Sequence, residues 1–522
     1  MSDNANTGLS RRQLLLMAGA VGGSAAVYRA ARALDLIPDL QEGAPLALAK
    51  ARGKRHVVIL GGGIAGLVSA YELQKAGYSV ELLEASYRLG GRVISLRHGD
   101  IVDEIGNRQV CQFDDEPHLY FNAGASRIPS VHTRLLDYCK TLGVALEPHT
   151  NFNINAWMQY DDMLGGRPVR QREYNADVRG FVAELLAKSV QDGSLDAPLA
   201  GIDKEKLLDY LSNAGDLGKD HRFHGSNGRA GVVSGGLYAE DVPLPMLPFA
   251  QLLQPKDYWG GAMFFGDGVE QSSVMQPVGG MDKIPYAFAA QLKGRIKTNS
   301  QVVSIHTDDN GVEVTYRRNG TLVTTRGDYC LNSIPGQILT GIDNNFSQPF
   351  RDAIARRPRG KLGKIAFQMR ERFWETRDRI YGGTSWTGQD IGQIQYPTHG
   401  INTRKGIVVG GYFLMQGPSE KFQLSSAKER MEAAIQQGSK VHPDYARYVE
   451  NGVSVAWYRM NHLLGCSARG TEPSELVALR RPEGRHYLVG DQIAVHAGWQ
   501  EAAILSAHDV LNRISAREAA AG

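Results

Sequence analysis

Residues 57–67 read VVILGGGIAGL, an apolar run that leads directly into a glycine-rich turn. The run is typical of a short buried strand, and Gly61, Gly63 and Gly66 then fit the pattern G-x-G-x-x-G at the start of a helix. The first glycine permits a tight turn, the second lets a diphosphate approach the backbone, and the third lets helix and strand pack closely. N–H groups at the helix start, aided by the helix dipole, then face the phosphates. The stretch predicts a dinucleotide site, against the alternative of a purely structural turn.

A helix, a second strand and an acidic residue follow this turn. Residues 67–76 carry apolar side chains at helical spacing, and Gly77 is a stop signal. A strand is predicted over residues 79–83, and Glu84 follows it where a carboxylate binds the ribose hydroxyls of a dinucleotide. The pattern predicts an α/β fold with a Rossmann-like nucleotide-binding domain.

The residues after Glu84 distinguish between dinucleotides. Residues 84–92 read EASYRLGGR, with a second glycine pair and an arginine that a nicotinamide dehydrogenase does not need. This extension resembles the signature of flavin amine oxidases, which bind FAD. The resemblance implies that Arg92 approaches the FAD phosphates; the alternative is a solvated surface charge.

A second motif resembles L-amino-acid oxidases within that group. Residues 120–129 read YFNAGASRIP, similar to the G-A-M-R-[IL]-P stretch of those enzymes, with Ser126 in place of the usual methionine. The resemblance implies that Gly124, Ala125 and Ser126 pack under the flavin and that Arg127 binds the substrate carboxylate. Guanidinium suits this role because it is always charged and bonds a carboxylate with two parallel N–H groups. A structural ion pair is the alternative for Arg127.

Two strands carry further candidates. Lys364 lies in GKIAF and precedes RFWE, as does the family lysine that holds a water against flavin N5. A buried cation there would favour peroxide formation by stabilising developing negative charge; the alternative is a strand-edge lysine in solvent. Tyr412 ends the core-like strand IVVGGY and matches the tyrosine that gives the carboxylate a second hydrogen bond. Tyr396 is interpreted as packing.

The C-terminal part resembles the closing flavin motif. Residues 485–491 read RHYLVGD, and HAGWQE at 496–501 leads into a final helix. The resemblance implies that Asp491, where glutamate is usual, binds the ribityl chain and that Trp499 forms one wall around the substrate. Trp457 is a candidate pocket wall, and Val303 stands where the family backbone brackets the adenine. The predicted cofactor-binding residues are Gly61, Gly63, Ile64, Ala65, Gly66, Glu84, Ala85, Gly91, Arg92, Gly124, Ala125, Ser126, Arg127, Val303, Gly490, Asp491, Gly498, Trp499 and Gln500.

Composition excludes several classes of protein. The 522 residues exceed one ordinary core, and 42% hydrophobic with 22% charged residues are typical of a soluble globular chain. A formal net charge of +3 and the absence of a basic patch interleaved with aromatics argue against a nucleic-acid partner. Cys111, Cys139, Cys330 and Cys466 are scattered, so no zinc site is predicted. They are expected as buried free thiols, with a disulfide as the alternative after export, and the FAD is expected to be non-covalent.

The N-terminus has the pattern of an export signal. SRRQLL at residues 10–15 is a twin-arginine pattern, and the apolar run from Leu14 to about Val27 is too short for a stable membrane span. Residues 31–33, ARA, offer a cleavage point. A twin-arginine signal over residues 1–45 predicts a periplasmic or secreted protein. The alternative is a retained amphipathic helix in a cytoplasmic protein.

The remaining stretches predict secondary structure. Residues 104–116 are expected to be a surface loop, and residues 242–248, VPLPMLP, irregular. Helices are expected over 178–190, 204–212 and 419–437, and a strand over 296–306. Asn319-Gly320 predicts a hairpin between 312–316 and 321–325, and 328–335 a strand that rejoins the nucleotide sheet. His221 and His224 are interpreted as surface histidines.

Together, these resemblances imply an FAD-dependent L-amino-acid oxidase that uses an L-amino acid and O₂ as substrates. Hydride transfer from a neutral amine to the flavin would give an imino acid, then a keto acid, ammonia and peroxide. The alternatives are an L-amino-acid 2-monooxygenase, a monoamine or polyamine oxidase, or a redox-silent binding module. Side-chain preference stays open, and a homodimer is a family expectation. The expected fold is a Rossmann-like FAD domain (46–125, 276–340, 456–522) with a mixed-sheet substrate domain and helical lobe (126–275, 341–455).

Overall fold

The structure is a computed structural model that describes residues 45–51, 53–193, 203–255, 274–357, 359–414, 416–467 and 473–520. The twin-arginine segment and its expected cleavage point lie outside these residues. Within them, no helix is both long enough and apolar enough to cross a membrane.

The predicted glycine turn follows the central strand of a parallel sheet, called here the nucleotide sheet, at the carboxyl end of that strand. In the described residues it has five strands, drawn from three distant parts of the chain. Val57, Ile59 and Leu331 pack against two helices on one face, and Val58 and Leu60 pack on the other. The Rossmann-like α/β class is thereby confirmed. The strands in spatial order are Ile296–Lys297, Ser79–Leu83, His56–Leu60, Tyr329–Asn332 and His486–Leu488, and the two helices are Ile64–Lys75 and Gln500–Ala520.

An antiparallel sheet covers the second face of the nucleotide sheet. The predicted strand over 296–306 is wrong as one element, because Asn299 takes a left-handed φ of 52° and divides it. The first part joins the nucleotide sheet and the second joins the antiparallel sheet. The predicted Asn319-Gly320 turn is confirmed, with φ of 49° and 81°. Its strands in order are Thr321–Gly327, Val312–Arg318, Ser300–Thr307 and Asp343–Asn344; the first three pair antiparallel, and the short last strand pairs parallel with Ser300–Thr307.

A large mixed sheet faces the nucleotide sheet across the rest of the molecule. Its strand Gly363–Met369 is buried at every position and lies between Gly406–Phe413 and Val449–Ala456. Lys364 and Tyr412 are directly paired across the first two of these strands. The other described strands are, in order outward from Gly406–Phe413, Gln393–Tyr396, Gly383–Thr387, Trp157–Gln159 and Val169–Arg170.

Three local predictions are corrected. Residues 104–116 do not form a plain loop: Ile101–Glu104 and Asn107–Val110 are a hairpin, held by buried Glu104, which pairs with Arg430 at 2.9 Å. Residues 242–248 begin inside an exposed hairpin strand, where Pro243 is tolerated at the strand end. The predicted helix over 419–437 is two helices, because Ser426 and Glu429 form a capping box that starts the second. These two helices are Gln416–Leu424 and Ala427–Val441.

The region after Arg127 contains the expected helical lobe. His221 bonds Ser212 at 3.0 Å, and His224 is exposed beside Asp220 at 3.0 Å, so both stand as surface or lobe residues away from the cavity described below. The domain bounds stay a prediction.

The described lobe helices are Gln171–Gln191, Lys204–Gly215, Asn227–Ala230 and Phe249–Leu252. Further helices are Thr133–Thr141, Lys283–Gln291, Gly336–Leu339, Gln348–Ala355, Phe373–Thr376, Tyr445–Tyr448 and Pro473–Arg480. Short strands are Ser95–Leu96, Phe121–Asn122, Ile128–Pro129, Leu146–His149, Val232–Gly236, Ala239–Pro243 and Val274–Pro277.

Candidate active site

A large cavity, partly open to solvent, lies between the nucleotide sheet and the large mixed sheet. Four strands of the nucleotide sheet lead directly into it: Gly61, Glu84, Ser333 and Gly490 follow their carboxyl ends. Parallel α/β sheets bind ligands at this end of their strands. The predicted residues on its wall are Gly61, Gly63, Ile64, Ala65, Glu84, Ala85, Gly91, Arg92, Gly124, Ala125, Lys364, Tyr412, Gly490, Asp491, Gly498, Trp499 and Gln500.

The glycine turn has the geometry of a phosphate site. Gly61 has a φ of 98°, which favours glycine, and a Cβ on Gly66 would lie 2.0 Å from the Gly61 carbonyl oxygen. A Cβ on Gly63 would have nothing within 4 Å, so that backbone is open to the cavity. No described side chain caps the helix that begins at Ile64. Its first N–H groups are therefore available to an anion.

Glu84 is fixed beside this turn by backbone donors. One carboxylate oxygen accepts from the Gly62 N–H at 2.6 Å, and the other accepts from the Ser86 N–H at 2.7 Å. Burial raises the pKa of Glu84, while these N–H donors oppose the rise. Each oxygen keeps accepting capacity, which suits a ribose hydroxyl donor.

We expect Glu84→Gln to weaken FAD binding by about tenfold, since its amide group would face a backbone N–H and leave a buried donor unpaired, worth about 1–3 kcal/mol. Flavin fluorescence titration measures the Kd. Glu81→Gln is the matched control, because Glu81 lies on the strand that leads to Glu84 and pairs with Lys297 away from the cavity wall. Unchanged FAD affinity in Glu84→Gln would contradict the assignment.

Arg92 and Asp491 meet in a bidentate ion pair on the cavity wall. Arg92 Nη1 donates to Asp491 Oδ2 at 2.8 Å, and Nη2 donates to Oδ1. Asp491 Oδ2 also accepts from the Gly498 N–H at 2.8 Å. Burial opposes the charged form of Asp491, but the Arg92 charge outweighs it and lowers the pKa of the carboxyl. The two predicted phosphate and ribityl residues therefore stand together in charged form.

Gly124 and Trp457 form a flat, tightly packed part of the wall. A Cβ on Gly124 would lie 1.8 Å from the Arg92 carbonyl oxygen and 3.1 Å from the Trp457 ring. Trp457 Nε1 donates to the Ala123 carbonyl oxygen at 3.2 Å. Trp457 is thus confirmed as a wall residue, and only glycine fits at position 124.

Lys364 is a buried cation at the centre of the site. Its side chain is 2% exposed, and Nζ donates to the Gly124 carbonyl oxygen at 2.8 Å. Burial, then the Arg127 charge, lower the pKa of Lys364 to about 7. Lysine in this position is therefore poised between its charged and neutral forms near neutral pH. The alternative of a solvent-exposed strand-edge lysine is excluded.

The predicted substrate residues lie around Lys364. Its Nζ is 4.7 Å from the centre of the Tyr412 ring, and the Arg127 guanidinium carbon is 5.9 Å from the centre of the Trp499 ring. Trp499 meets His132 edge to face at 4.9 Å. Lys364, Tyr412 and Trp499 thus line the cavity, and Arg127 lies beside Trp499 and close enough to Lys364 for its charge to act on the lysine.

Four predicted residues do not line the cavity wall: Gly66, Ser126, Arg127 and Val303. Gly66 lies behind the turn, where it permits helix packing. Val303 falls at a register shift between Val302 and Ser304, so the wall there is formed by the preceding residues. The role of Arg127 stays a prediction that rests on its proximity to Trp499 and Lys364. Wall residues that the sequence analysis missed include Ser300, Gln301, Val302, Ser333, Arg359, His462 and Cys466.

The wall fits a flavin dinucleotide. The uncapped helix start suits the phosphates, and the buried carboxylate at the end of the second strand suits a ribose. The cationic side chains suit the negative charge of the cofactor. The described residues contain no group of three or more His, Cys, Asp and Glu that would hold a metal ion. The fold and the site together define a flavin-dependent oxidoreductase.

Comparisons with known proteins agree with this class of enzyme. Residues 64–514 match the model of the family described as flavin containing amine oxidoreductase, so the chain belongs to that family and its cofactor is FAD. The chain is 28% identical over 503 residues to the flavin-dependent L-tryptophan oxidase RebO of Lentzea aerocolonigenes, covering 89% of this chain and 99% of that one. It is 28% identical over 498 residues to an L-amino-acid oxidase of Siganus canaliculatus, covering 91% and 87%.

Solved structures support the fold. Cyclohexylamine oxidase from Brevibacterium oxydans IH-35A superposes with a TM-score of 0.59 at 18% identity, covering 89% of this chain and 100% of that chain. Wild-type putrescine oxidase bound to putrescine has a TM-score of 0.58 at 17% identity, covering 90% and 99%.

We expect the FAD to be released intact when the protein is denatured. Of the four cysteines, Cys466 lines the cavity, and burial raises the pKa of its thiol, which disfavours the nucleophilic thiolate. Mass spectrometry of the denatured chain checks this, with Cys466→Ser expected to keep full FAD content. Flavin that stays on the denatured chain and is lost in Cys466→Ser would overturn it.

Proposed function

We propose that the chain catalyses FAD-dependent oxidative deamination of L-amino acids, with O₂ as acceptor. The observation that supports the proposal is the proximity of Arg127 to Trp499 and to Lys364, two residues that line the cavity together with Tyr412. Relatives named as L-amino-acid oxidase and L-tryptophan oxidase support the same substrate class.

The carboxylate is the feature that these residues recognise. Arg127 supplies a permanent charge with paired N–H donors, and Tyr412 supplies a neutral phenolic donor on a stiff ring. A simple amine has no group to match Arg127. This residue therefore favours an amino acid over a monoamine or polyamine substrate.

The substrate amine has to be neutral before its Cα–H bond breaks. Arg127 and the charged form of Lys364 are both cations, and they disfavour an ammonium nearby and help the amine to lose its proton. FAD, when bound, would supply the acceptor for the Cα hydride and the route by which the electrons reach O₂. Trp499 and Trp457 exclude water from this region, and Trp499 orients the substrate.

Lys364 acts on the oxygen side of the reaction. Its charged form stabilises negative charge that develops on oxygen, and its two backbone carbonyl partners near Gly124 hold the ammonium group in place. The imino acid product then hydrolyses in water to a keto acid and ammonia.

Anaerobic mixing of the purified holoenzyme with L-amino acids, D-amino acids and simple amines tests the proposal. Bleaching of the flavin band by L-amino acids alone is the expected result. Bleaching by amines alone would show an amine oxidase, and no bleaching by any of them would show a redox-silent protein. Aerobic products separate the remaining alternative, because a keto acid with peroxide indicates an oxidase, whereas an amide with carbon dioxide indicates a 2-monooxygenase.

We also propose export through the twin-arginine route, supported by residues 10–15, SRRQLL. Replacing both Arg11 and Arg12 by lysine is expected to retain FAD-loaded protein in the cytoplasm of a bacterial host. Cell fractionation with flavin fluorescence measures this. Equal export of the double variant would overturn the proposal. Dimer formation is proposed from the family alone.

A further inference from the structure

Arg357 is a buried arginine with unsatisfied hydrogen-bonding groups. The residue is 3% exposed, and its Nε, Nη1 and Nη2 atoms have no hydrogen-bond partner in the described part of the chain. It follows the helix Gln348–Ala355, and its carbonyl oxygen accepts from Gln337 Nε2 at 2.7 Å. The Gln337 side-chain oxygen is also buried and has no hydrogen-bond partner among the residues that the structure describes. A fully buried guanidinium without any acceptor is rare, because native structures satisfy most buried polar groups.

The neighbouring charges do not neutralise Arg357. Asp491 and Glu475 are the acidic groups that act on it, and both are engaged elsewhere. Asp491 forms the bidentate pair with Arg92, and Glu475 accepts from Arg356 at 2.9 Å. Burial lowers the pKa of Arg357 to about 10, which is still well above neutral pH. Among the described residues, the group is therefore a buried cation without a carboxylate of its own.

Arg359, on the wall of the cavity, is likewise a buried arginine with no carboxylate partner among the described residues. It is 6% exposed, and its two described hydrogen bonds go to neutral acceptors, the Cys466 carbonyl oxygen at 2.9 Å and Gln492 Oε1 at 3.2 Å. Burial and the Arg92 charge lower its pKa to about 10. Arg357 and Arg359 together leave two positive charges in excess beside the cofactor cavity.

Hydrogen bonds, together with the peptide link between Ser333 and Ile334, connect Arg359 with the glycine turn. Gln492 Oε1 accepts from Arg359, and Gln492 Nε2 donates to the Ile334 carbonyl oxygen at 3.0 Å. The residue before Ile334 is Ser333, whose hydroxyl donates to the Leu60 carbonyl oxygen at 2.8 Å. Leu60 ends the strand that enters the glycine turn. The excess charge is thus built into the same end of the nucleotide sheet as the uncapped helix start.

We propose that Arg357 and Arg359 are an oxyanion site whose counter-charge is the diphosphate of FAD. Arg359 lines the cavity, and Arg357, two residues earlier, is near enough to feel the charge of Asp491 on the same wall. Two buried cations need about two negative charges, and a cofactor diphosphate in that cavity supplies that number. The inference rests on FAD as the cofactor and does not depend on which substrate the enzyme oxidises. Without the diphosphate, these arginines destabilise the fold, and with it they hold the cofactor.

The test measures the rate of FAD release from the holoenzyme and the melting temperature of the deflavinated chain. In Arg357→Met the holoenzyme is expected to release FAD at least tenfold faster on dilution, measured by flavin fluorescence. The deflavinated full chain is expected to melt at a higher temperature than deflavinated wild type, because removal of an unpaired buried charge relieves its desolvation penalty. Arg359→Met is expected to behave in the same way, and Arg357→Lys to keep slow FAD release.

Arg326→Met is the matched control, since it removes the same charge from an exposed pair with Asp308. It is expected to change neither quantity. A structural role for Arg357 would lower the melting temperature of both holo and deflavinated protein, and that result would overturn the proposal. So would unchanged FAD release in Arg357→Met and Arg359→Met.

Two probes distinguish the source of the oxyanion. Riboflavin lacks the diphosphate, so its affinity for the deflavinated chain is expected to be equal in wild type and Arg357→Met. Inorganic diphosphate is expected to stabilise the deflavinated wild type and to leave the holoenzyme unaffected. Stabilisation of the holoenzyme by inorganic phosphate or diphosphate, lost in Arg357→Met, would show a separate anion and overturn the assignment to FAD.

Discussion

Arg127→Leu is expected to lower kcat/KM for L-amino acids by about 10²- to 10³-fold, with most of the loss in KM. The substrate carboxylate would lose its charged partner while still being removed from water, which costs about 3–4 kcal/mol. Stopped-flow reduction of the flavin, measured over a range of amino-acid concentrations, gives both parameters. The effect should be absent for simple amines, because they present no carboxylate.

Two companion variants sharpen this experiment. Arg127→Lys keeps a charge without the paired N–H geometry, so an intermediate loss is expected. Arg447→Leu removes an exposed arginine and should leave kcat/KM unchanged. If Arg127→Leu reduces the rates for amines and amino acids by the same factor, Arg127 has a structural role and the carboxylate assignment is wrong.

Lys364→Met is expected to slow the reaction of the reduced enzyme with O₂ by about 100-fold. Removal of one buried positive group that stabilises developing charge costs about 3 kcal/mol. Anaerobic flavin reduction by the substrate should change much less, because hydride transfer does not need the lysine charge. Double-mixing stopped flow separates these two half-reactions.

The pKa of Lys364, about 7, fixes the direction of the pH effect. The charged form decreases as pH rises through 7, so the oxygen reaction of wild type should become slower across that window. The same reaction in Lys364→Met should be independent of pH there. Flavin reduction should instead become faster with rising pH, since the substrate amine has to be neutral.

Stability gives an independent check on the same residue. In the unfolded chain lysine stays charged up to its ordinary pKa of 10.5, whereas the folded state disfavours the charge from about 7. The resulting penalty is fully present below pH 7 and disappears as pH rises through 10.5. Lys364→Met should therefore be stabilised relative to wild type below pH 7, with the difference vanishing at high pH.

Lys361→Met is the control for both measurements, because Lys361 lies three residues away and is exposed beside Glu420. Equal oxygen kinetics in wild type and Lys364→Met would contradict the proposed role. A constant stability difference across the pH range would contradict the lowered pKa.

Motifs in which chemistry and spacing are local could be predicted from the sequence. The glycine turn, Glu84 after the second strand and the Asn319-Gly320 hairpin depend on backbone geometry within a few residues, and all three are confirmed. Burial of Lys364 is implied by the resemblance of GKIAF and RFWE to the family pattern, and every residue of that strand is buried.

Features that depend on tertiary contacts could not be predicted. Arg359 carries no recognisable motif, and it reaches the cavity through contacts with Cys466 and Gln492, which lie more than a hundred residues further along the chain. The hairpin at residues 101–110 has the composition of a polar loop, and the contact that stabilises it, between Glu104 and Arg430, is distant in sequence. The bulge that moves Val303 off the wall is a register effect, invisible to composition.

The order of segments along the chain has a consequence for biosynthesis. The strand His486–Leu488 and the helix Gln500–Ala520 follow the glycine turn by more than four hundred residues, as do Asp491 and Trp499. A ribosome therefore makes the glycine turn long before this part of the cavity wall exists. Flavin loading is thus expected to wait until synthesis has passed Trp499, and a chain truncated before His486 is expected to be colourless because it lacks Asp491 and Trp499.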